Sequence, residues 1–524
     1  MRPSGTLAVV PAPTAPTNLS RIIDAHPDDA VALISGNRPT TYGALREQVA
    51  GFRGGLASLG IGAGDRVAII CGNNRHFVVA YLATVGLGAI AVPLNPASPA
   101  PELEQELAVV EPVAVVIDPH FVNVFSRIDR TRVPSITQVI VTEHHAATAG
   151  AVEGTHTLDV LLGCDPVPVV DVDPDTTAVM MFTSGTAGAP RAAMLSHANL
   201  LSNIEQSRSA PAHTEASDVV YGVIPLFHIF GLNVMLGMTL SVGATVVLVQ
   251  RFDPSTAAES IVQRKVTVVP GAPPLWVAFA HFDELADDTF ATVRLALSGA
   301  SKLPPAVARR CEERFGLKIL EGYGLTEAAP VVTSSSGLGD GPRYGSVGRA
   351  LDGVEVRVVN HEGHDALVGD VGEILVRGAN VFQGYFRDPE ATARVLDADG
   401  WLHTGDMATV DDDGWLYLVD RAKDLIIVSG FNVYPAEVED VLNAHPQVAE
   451  AGVVGVPHPH TGEAVKAFVA LVPDADIGED ALIGYAGDHL ARYKCPSKIL
   501  FVDELPRNVS GKLVRRHLDD TVLT

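Results

Sequence analysis

Val179-Met-Met-Phe-Thr-Ser-Gly-Thr-Ala-Gly-Ala-Pro-Arg191 begins as an apolar strand and runs straight into a Gly/Ser/Thr loop that ends in a cation. Such a loop, leaving a buried strand, can wrap a phosphate with backbone N–H groups and hydroxyls. The spacing differs from a Walker loop, which needs four residues between a glycine and Gly-Lys-Ser/Thr. No Gly-x-Gly-x-x-Gly follows a strand, so a dinucleotide fold is unsupported, and neither Gly-x-Ser-x-Gly nor His-Glu-x-x-His occurs.

Outward from this stretch, short β-branched runs alternate with helical patterns. Arg66-Val-Ala-Ile-Ile70, Ala114-Val-Val-Ile117 and residues 245–249 and 266–269 read as strands, whereas the segment opening at Tyr42 and residues 76–83 read as helices. That alternation implies βαβ units and a mostly parallel sheet. After Gly345 the texture changes. Glu355-Val-Arg-Val-Val359, Gly372-Glu-Ile-Leu-Val-Arg377 and Trp415-Leu-Tyr-Leu-Val419 are short strands parted by Gly and Asp turns, which predicts an antiparallel region. Beyond Asp420 strand–helix alternation returns, with a helix over Glu437-Val-Glu-Asp-Val-Leu442. This last stretch of about 100 residues is large enough to fold as its own unit.

Composition narrows the function classes. Lys and Arg number 37 against 62 Asp and Glu, a net charge of −25, so a phosphate backbone would repel the chain and no basic stripe offsets this. Hydrophobic residues at 47% and charged residues at 19% exclude general disorder and allow a large core. Cys71, Cys164, Cys311 and Cys495 form no Cys-x-x-Cys pair, which argues for free thiols in a reducing, cytoplasmic setting. The first residues, with one Arg and Pro11 and Pro13 close behind, read as a loose tail rather than a secretory signal. Residues 219–250 carry no Asp, Glu, Lys or Arg, but Pro225, His228, Asn233 and four glycines make burial in protein the better expectation than a lipid span.

Four further segments carry chemistry-bearing groups. Glu321-Gly-Tyr-Gly-Leu-Thr-Glu327 sets a hydroxyl and a carboxylate beside a flexible backbone. Trp401-Leu-His-Thr-Gly-Asp406 ends a strand with a carboxylate able to accept two ribose hydroxyls. Charges cluster in Asp420-Arg-Ala-Lys-Asp-Leu-Ile-Ile-Val-Ser-Gly430, and Pro506-Arg-Asn-Val-Ser-Gly-Lys512 ends in a lone lysine. Each also has a purely structural use: Thr326 and Glu327 as a helix cap, Asp406 as a turn former, Lys512 as a solvated charge.

In this order and at these separations, over about residues 20–518, the segments resemble the adenylate-forming superfamily: acyl- and aryl-CoA synthetases, luciferases and peptide-synthetase adenylation domains. The phrases at 321–330, 399–406, 428–441 and 503–516 are most similar to bacterial fatty acyl-CoA synthetases. The resemblance implies an α/β fold. A large N-terminal domain, residues 1–421, would hold two βαβ-type subdomains plus a small β-barrel subdomain, and a small mobile α+β C-terminal domain would span 422–524. It implies a fatty acid–CoA ligase using ATP, Mg²⁺ and coenzyme A, with a medium- or long-chain fatty acid as the expected substrate. The acid and ATP give an acyl-adenylate and pyrophosphate, and the thiol of coenzyme A then displaces AMP.

The same resemblance implies residue roles. Thr183, Ser184, Gly185, Thr186, Gly188 and Arg191 would hold the β- and γ-phosphates; Thr326 would touch the α-phosphate and Glu327 would hold Mg²⁺. Ser298, Gly299, Ala300, Glu321, Gly322, Tyr323 and Gly324 would surround the adenine side of ATP, and Asp406 and Arg421 the ribose. Lys512 would bridge the α-phosphate and the attacking carboxylate, with His228 as the gate beside that carboxylate. Lys423 matches the hinge, and Ser429 and Gly430 the coenzyme A tunnel. The loop departs from the usual Pro-Lys-Gly ending with Pro190-Arg191-Ala192, and Ala187 stands where threonine is common, which bears on pyrophosphate handling. Alternatives are a ligase that loads an acyl carrier protein, a ligase for an aryl or other small acid, and a degenerate binding protein. No transmembrane segment is expected, peripheral membrane contact suits a fatty-acid enzyme, and a homodimer is compatible with the reading.

Overall fold

The computed structural model describes residues 17–143, 155–183, 190–336, 341–421, 424, 426–428, 431–458, 461–473, 475–507 and 513–518, with backbone only at Asp420, Arg421, Phe431, Asn432 and Arg516. Within these residues the strands form four sheets. The strand expected to open the phosphate loop, Thr177–Thr183, lies in an eight-stranded sheet. Ile90–Pro93, Arg66–Ile70, Ala114–Ile117, Gln138–Val141 and Thr155–Thr157 follow it in parallel, and Arg191–Ser196 returns antiparallel on its other side. The loop therefore joins two neighbouring strands, with Thr183 opposite Arg191.

A second sheet has nine strands, with a parallel centre running through Val219–Gly222, Val268–Gly271, Leu295–Ser298 and Ile319–Gly324. Between the sheets lies helix Arg75–Gly86, which touches Val31–Ser35 of one and Arg66–Ile70 and Ile90–Pro93 of the other. Asn74 caps it by accepting from the Phe77 N–H at 3.0 Å. From His76 to Gly86 the helix is buried on every side, which is why that stretch carries no Asp, Glu, Lys or Arg and shows no polar stripe.

The uncharged stretch 219–250 folds as the parallel strands Val219–Gly222 and Thr245–Leu248 around a π-helical run, Phe230–Gly237, and a short helix, Met238–Val242. No helix among the described residues is long and apolar enough to cross a membrane. The antiparallel region is a four-stranded half-barrel of Val354–Val359, Gly372–Gly378, Leu402–Val410 and Leu416–Arg421. The fourth sheet comes from the C-terminal stretch alone, with Gly462–Leu471 at its centre and helices Pro435–Asn443 and Glu479–His489 packed on it.

Helix Ala100–Val110 carries a buried carboxyl, Glu106, whose Oε2 has no hydrogen-bond partner among the described residues. Burial, helped by the Glu102 charge, pushes this carboxyl from 4.5 up to about 8. Between those values the folded chain keeps a proton that the unfolded chain has released, so stability falls as pH rises through the window. Glu106→Gln is therefore expected to raise the thermal midpoint by a few degrees at pH 8.5 and to change it little at pH 4.5, read by scanning calorimetry.

Candidate active site

The C-terminal ends of both large sheets open on one cleft of about 1790 Å³. Thr183, Arg191, His228, Ser298, Gly299, Ala300, Glu321, Gly322, Tyr323, Gly324, Thr326, Glu327 and Asp406 all line it. These residues come from seven separate stretches of strand, turn and helix, so the grouping is a product of the fold rather than of adjacency.

Asp406 sits on Leu402–Val410 just before a bulge, where the strand turns through Gly405 at φ +69°. The Thr404 hydroxyl accepts from the Asp406 N–H at 3.1 Å, and the Gly405 N–H is held by Glu373 at 3.0 Å. The Tyr323 hydroxyl donates to Asp406 Oδ2 at 2.7 Å, tying the aromatic wall to the carboxylate. Backbone pairing sets Arg421 opposite Asp406.

Backbone crowding explains the glycines and the strained turn. A Cβ at Gly324 would lie 2.2 Å from the Pro330 carbonyl oxygen, and one at Gly322 would lie 3.0 Å from that of Thr333. Beyond the strand end at Ser298, Gly299 faces the Phe230 ring, and Ala300 takes φ +71°, a left-handed conformation unusual for a residue with a Cβ. The Ser298 hydroxyl is buried in the cleft wall with no partner among the described residues.

The Glu327 carboxylate occupies a 3₁₀ turn, Thr326–Ala328, and accepts from the Tyr385 hydroxyl at 2.7 Å. Tyr385 is held protonated by burial and by the Glu327 charge. Arg191 stacks over the Tyr385 ring at 5.7 Å and pairs with Asp388 at 3.2 Å. Tyr385 and Asp388 did not emerge from sequence reasoning, since neither belongs to a motif quoted above. The only local signal is the aromatic run Phe382, Tyr385, Phe386 beside a helix-capping Asp388.

Arg191 thus has dedicated contacts that a lysine can only partly reproduce. Arg191→Lys is expected to keep the charge, lose the stack and slow pyrophosphate release less than about tenfold, the equilibrium equivalent of one exposed pair plus a cation–π contact. A steady-state pyrophosphate assay checks this.

Glu321 is buried, and its carboxylate accepts from the N–H groups of Leu303 at 3.2 Å and Gly345 at 3.4 Å. Burial raises it to about 7 against those bonds and the nearby Lys302 charge. The geometry makes it a brace for two cleft-lining loops. His228 accepts the Phe230 N–H on Nδ1 at 3.2 Å, so its neutral ring carries the proton on Nε2.

Ser184, Gly185, Thr186 and Gly188 of the loop, Lys423 at the expected hinge, Ser429, Gly430 and Lys512 lie outside the described residues. Their described neighbours do reach the cleft. Thr183 and Pro190 flank the loop, and Arg507 and Leu513, bridged backbone to backbone, flank residues 508–512. Among the described residues no group of three or more His, Cys, Asp or Glu is arranged for a metal ion. A single cleft carboxylate such as Glu327 still suits Mg²⁺, which is commonly held by one or two carboxylates plus substrate phosphates.

Residues 19–386 match the family of AMP-binding enzymes, and residues 437–512 match the AMP-binding enzyme C-terminal domain. The 3-[(3aS,4S,7aS)-7a-methyl-1,5-dioxo-octahydro-1H-inden-4-yl]propanoyl:CoA ligase of Mycobacterium tuberculosis is 35% identical, with 96% of this chain and 98% of that protein aligned. A long-chain-fatty-acid–CoA ligase of Bacillus subtilis is 33% identical over 94% of this chain and 91% of its own. A feruloyl-CoA synthase of Amycolatopsis sp is 36% identical over 93% and 94%. ATP-bound MatB from Rhodopseudomonas palustris superposes with a TM-score of 0.89 at 33% identity, covering 97% of this chain and 99% of that one. The family's reaction uses ATP, Mg²⁺ and coenzyme A. The chain belongs to the adenylate-forming AMP-binding enzymes and is an acid–CoA ligase that works through an acyl-adenylate.

Proposed function

We propose that the acid is a medium- or long-chain fatty acid, activated in an N-terminal domain of residues 1–421 and handed to coenzyme A after a 422–524 domain turns about Lys423. The observation that supports the substrate reading is that Phe230, Val234, Met238, Leu297, Leu320 and Val331 all line the cleft beside His228, an apolar set suited to an acyl chain. The long-chain-fatty-acid–CoA ligase relative supports the same class.

In the first half-reaction a carboxylate oxygen attacks the α-phosphorus, a P–O bond forms, and the bond to pyrophosphate breaks. Two anions must meet, so catalysis rests on neutralised charge and fixed in-line geometry. Thr183, Ser184, Gly185, Thr186, Gly188 and Arg191 hold the leaving phosphates. Ser298, Gly299, Ala300 and the Tyr323 ring flank adenine; Asp406, aimed by the Tyr323 hydroxyl, and Arg421 hold the ribose. Thr326 donates to the α-phosphate, and His228, protonated on Nε2, borders the carboxylate. Glu327, oriented by the Tyr385 hydroxyl, would hold Mg²⁺, which would neutralise charge on the phosphates. Lys512 bridges the α-phosphate and the carboxylate. In the second half the thiol sulfur attacks the adenylate carbonyl carbon, the C–S bond forms and AMP leaves. Ser429 and Gly430 line the thiol's approach.

A second reading, an aryl or other small ring-bearing acid, is favoured by the feruloyl-CoA synthase and indenyl-propanoyl:CoA ligase relatives. Under either reading the enzyme works in the cytoplasm, and a homodimer is compatible with it. Pyrophosphate release across straight-chain acids of four to eighteen carbons and a set of aryl and keto-alicyclic acids tests the choice. Highest kcat/KM at eight carbons or more supports the fatty-acid reading; a preference for the ring acids replaces it with the second.

A further inference from the structure

Lys302 lies four residues beyond the strand end at Ser298, on the N-terminal side of the cleft. Its ammonium meets the carboxylate of Asp440 at 2.5 Å, and Asp440 belongs to helix Pro435–Asn443 of the C-terminal unit. The two side chains are 27% and 41% exposed, so water screens them. For ordinary stability such a pair contributes little. For an equilibrium between two domain orientations the measure differs, because a contact present in only one orientation shifts the balance by its whole strength.

The orientation seen here presents Arg507, Leu513, Val514 and Arg515, which flank or follow residues 508–512, to the same cleft as Tyr323 and Asp406. Strand Ile426–Val428, which precedes Ser429 and Gly430, does not line that cleft.

We propose that Lys302 is a positioning residue that latches the C-terminal unit through Asp440 in the adenylate-forming orientation, and that this latch opens for thioester formation. The inference rests on the two-orientation reading given under Proposed function. The local charge balance agrees. Glu321, buried nearby, feels Lys302 as a stabilising charge and Asp440 as an opposing one. Removing Lys302 leaves Asp440 with no cation across the domain boundary, and Asp440→Ala removes the same attraction from the other side.

The test measures both half-reactions separately in the full-length enzyme: acid-dependent pyrophosphate release, and acyl-CoA formation from supplied acyl-adenylate. Lys302→Ala is expected to lower the ratio of first-half to second-half rate by up to about fivefold, the upper range of measured surface pairs. The exchange Lys302→Asp with Asp440→Lys is expected to bring the ratio back toward that of the parent. An unchanged ratio in the single variants, or an exchange variant no closer to the parent than they are, overturns the latch. Lys512→Ala run alongside separates the two failures: equal loss of both halves there overturns the two-orientation reading itself, whereas a clean split there with an unmoved ratio in Lys302→Ala overturns only the latch.

Discussion

Replacing Lys512 with alanine is expected to slow adenylate formation by about 10²–10³, the usual effect of deleting one donor that meets charge developing in a transition state. Thioester formation from supplied acyl-adenylate is expected to keep most of its rate. The physical reason is a difference in charge. In the first half two anionic groups are forced together at the α-phosphorus, and an ammonium bridging them contributes most at the transition state. In the second half the adenylate is already made and the attacking group is a thiol, so the same ammonium has no comparable charge to offset. Single-turnover assays of each half separate the two outcomes, and equal losses in both would contradict the division of labour.

Glu327→Gln should have an effect of the same order, about 10²–10³ on pyrophosphate release, with the ATP- and Mg²⁺-dependent step carrying nearly all of it. The carboxylate is aimed by the Tyr385 hydroxyl at 2.7 Å, so the amide keeps the shape and the hydrogen bond while removing the charge. Raising Mg²⁺ is expected to recover part of the loss, because a weaker site is filled by mass action. Tyr385→Phe leaves the charge and removes only the aim; its loss is expected to be smaller, about the worth of one hydrogen bond to a charged group. A Glu327→Gln enzyme as active as the parent at low Mg²⁺ would remove Glu327 from the phosphate site.

The segments that line the cleft were readable in the sequence because each is a contiguous run whose backbone must follow a narrow path. Gly324 shows why: its Cβ would strike the Pro330 carbonyl at 2.2 Å, so the residue type records the close approach. Strands such as Arg66–Ile70 were legible for a related reason, since burial on both faces leaves an unbroken apolar run. Arg191–Ser196 was not legible as a strand, because its Ala-rich sequence carries little β signal and its pairing with Thr177–Thr183 provides the order.

What the sequence concealed is pairing at a distance. Tyr385 stands 58 residues from Glu327, Asp388 stands 197 from Arg191, and Lys302 stands 138 from Asp440. Tyr385, Asp388 and Lys302 lie in no quoted motif, and only the stacking of sheets and units brings them to their partners. Glu321 illustrates the opposite case. It lies inside a readable motif, yet its buried carboxylate braces the loops at Leu303 and Gly345, a role that no spacing announces.

An acyl-adenylate made without coenzyme A and consumed by it is the signature of this reaction. Its most direct test is a single-turnover reaction with α-phosphate-labelled ATP, Mg²⁺ and a twelve-carbon acid, resolved with and without coenzyme A. Labelled acyl-adenylate is expected to accumulate on the enzyme in the absence of the thiol, then to convert to AMP and acyl-CoA in equal amounts when it is added. Acyl-CoA formed with release of ADP, or adenylate that coenzyme A leaves untouched, would contradict it.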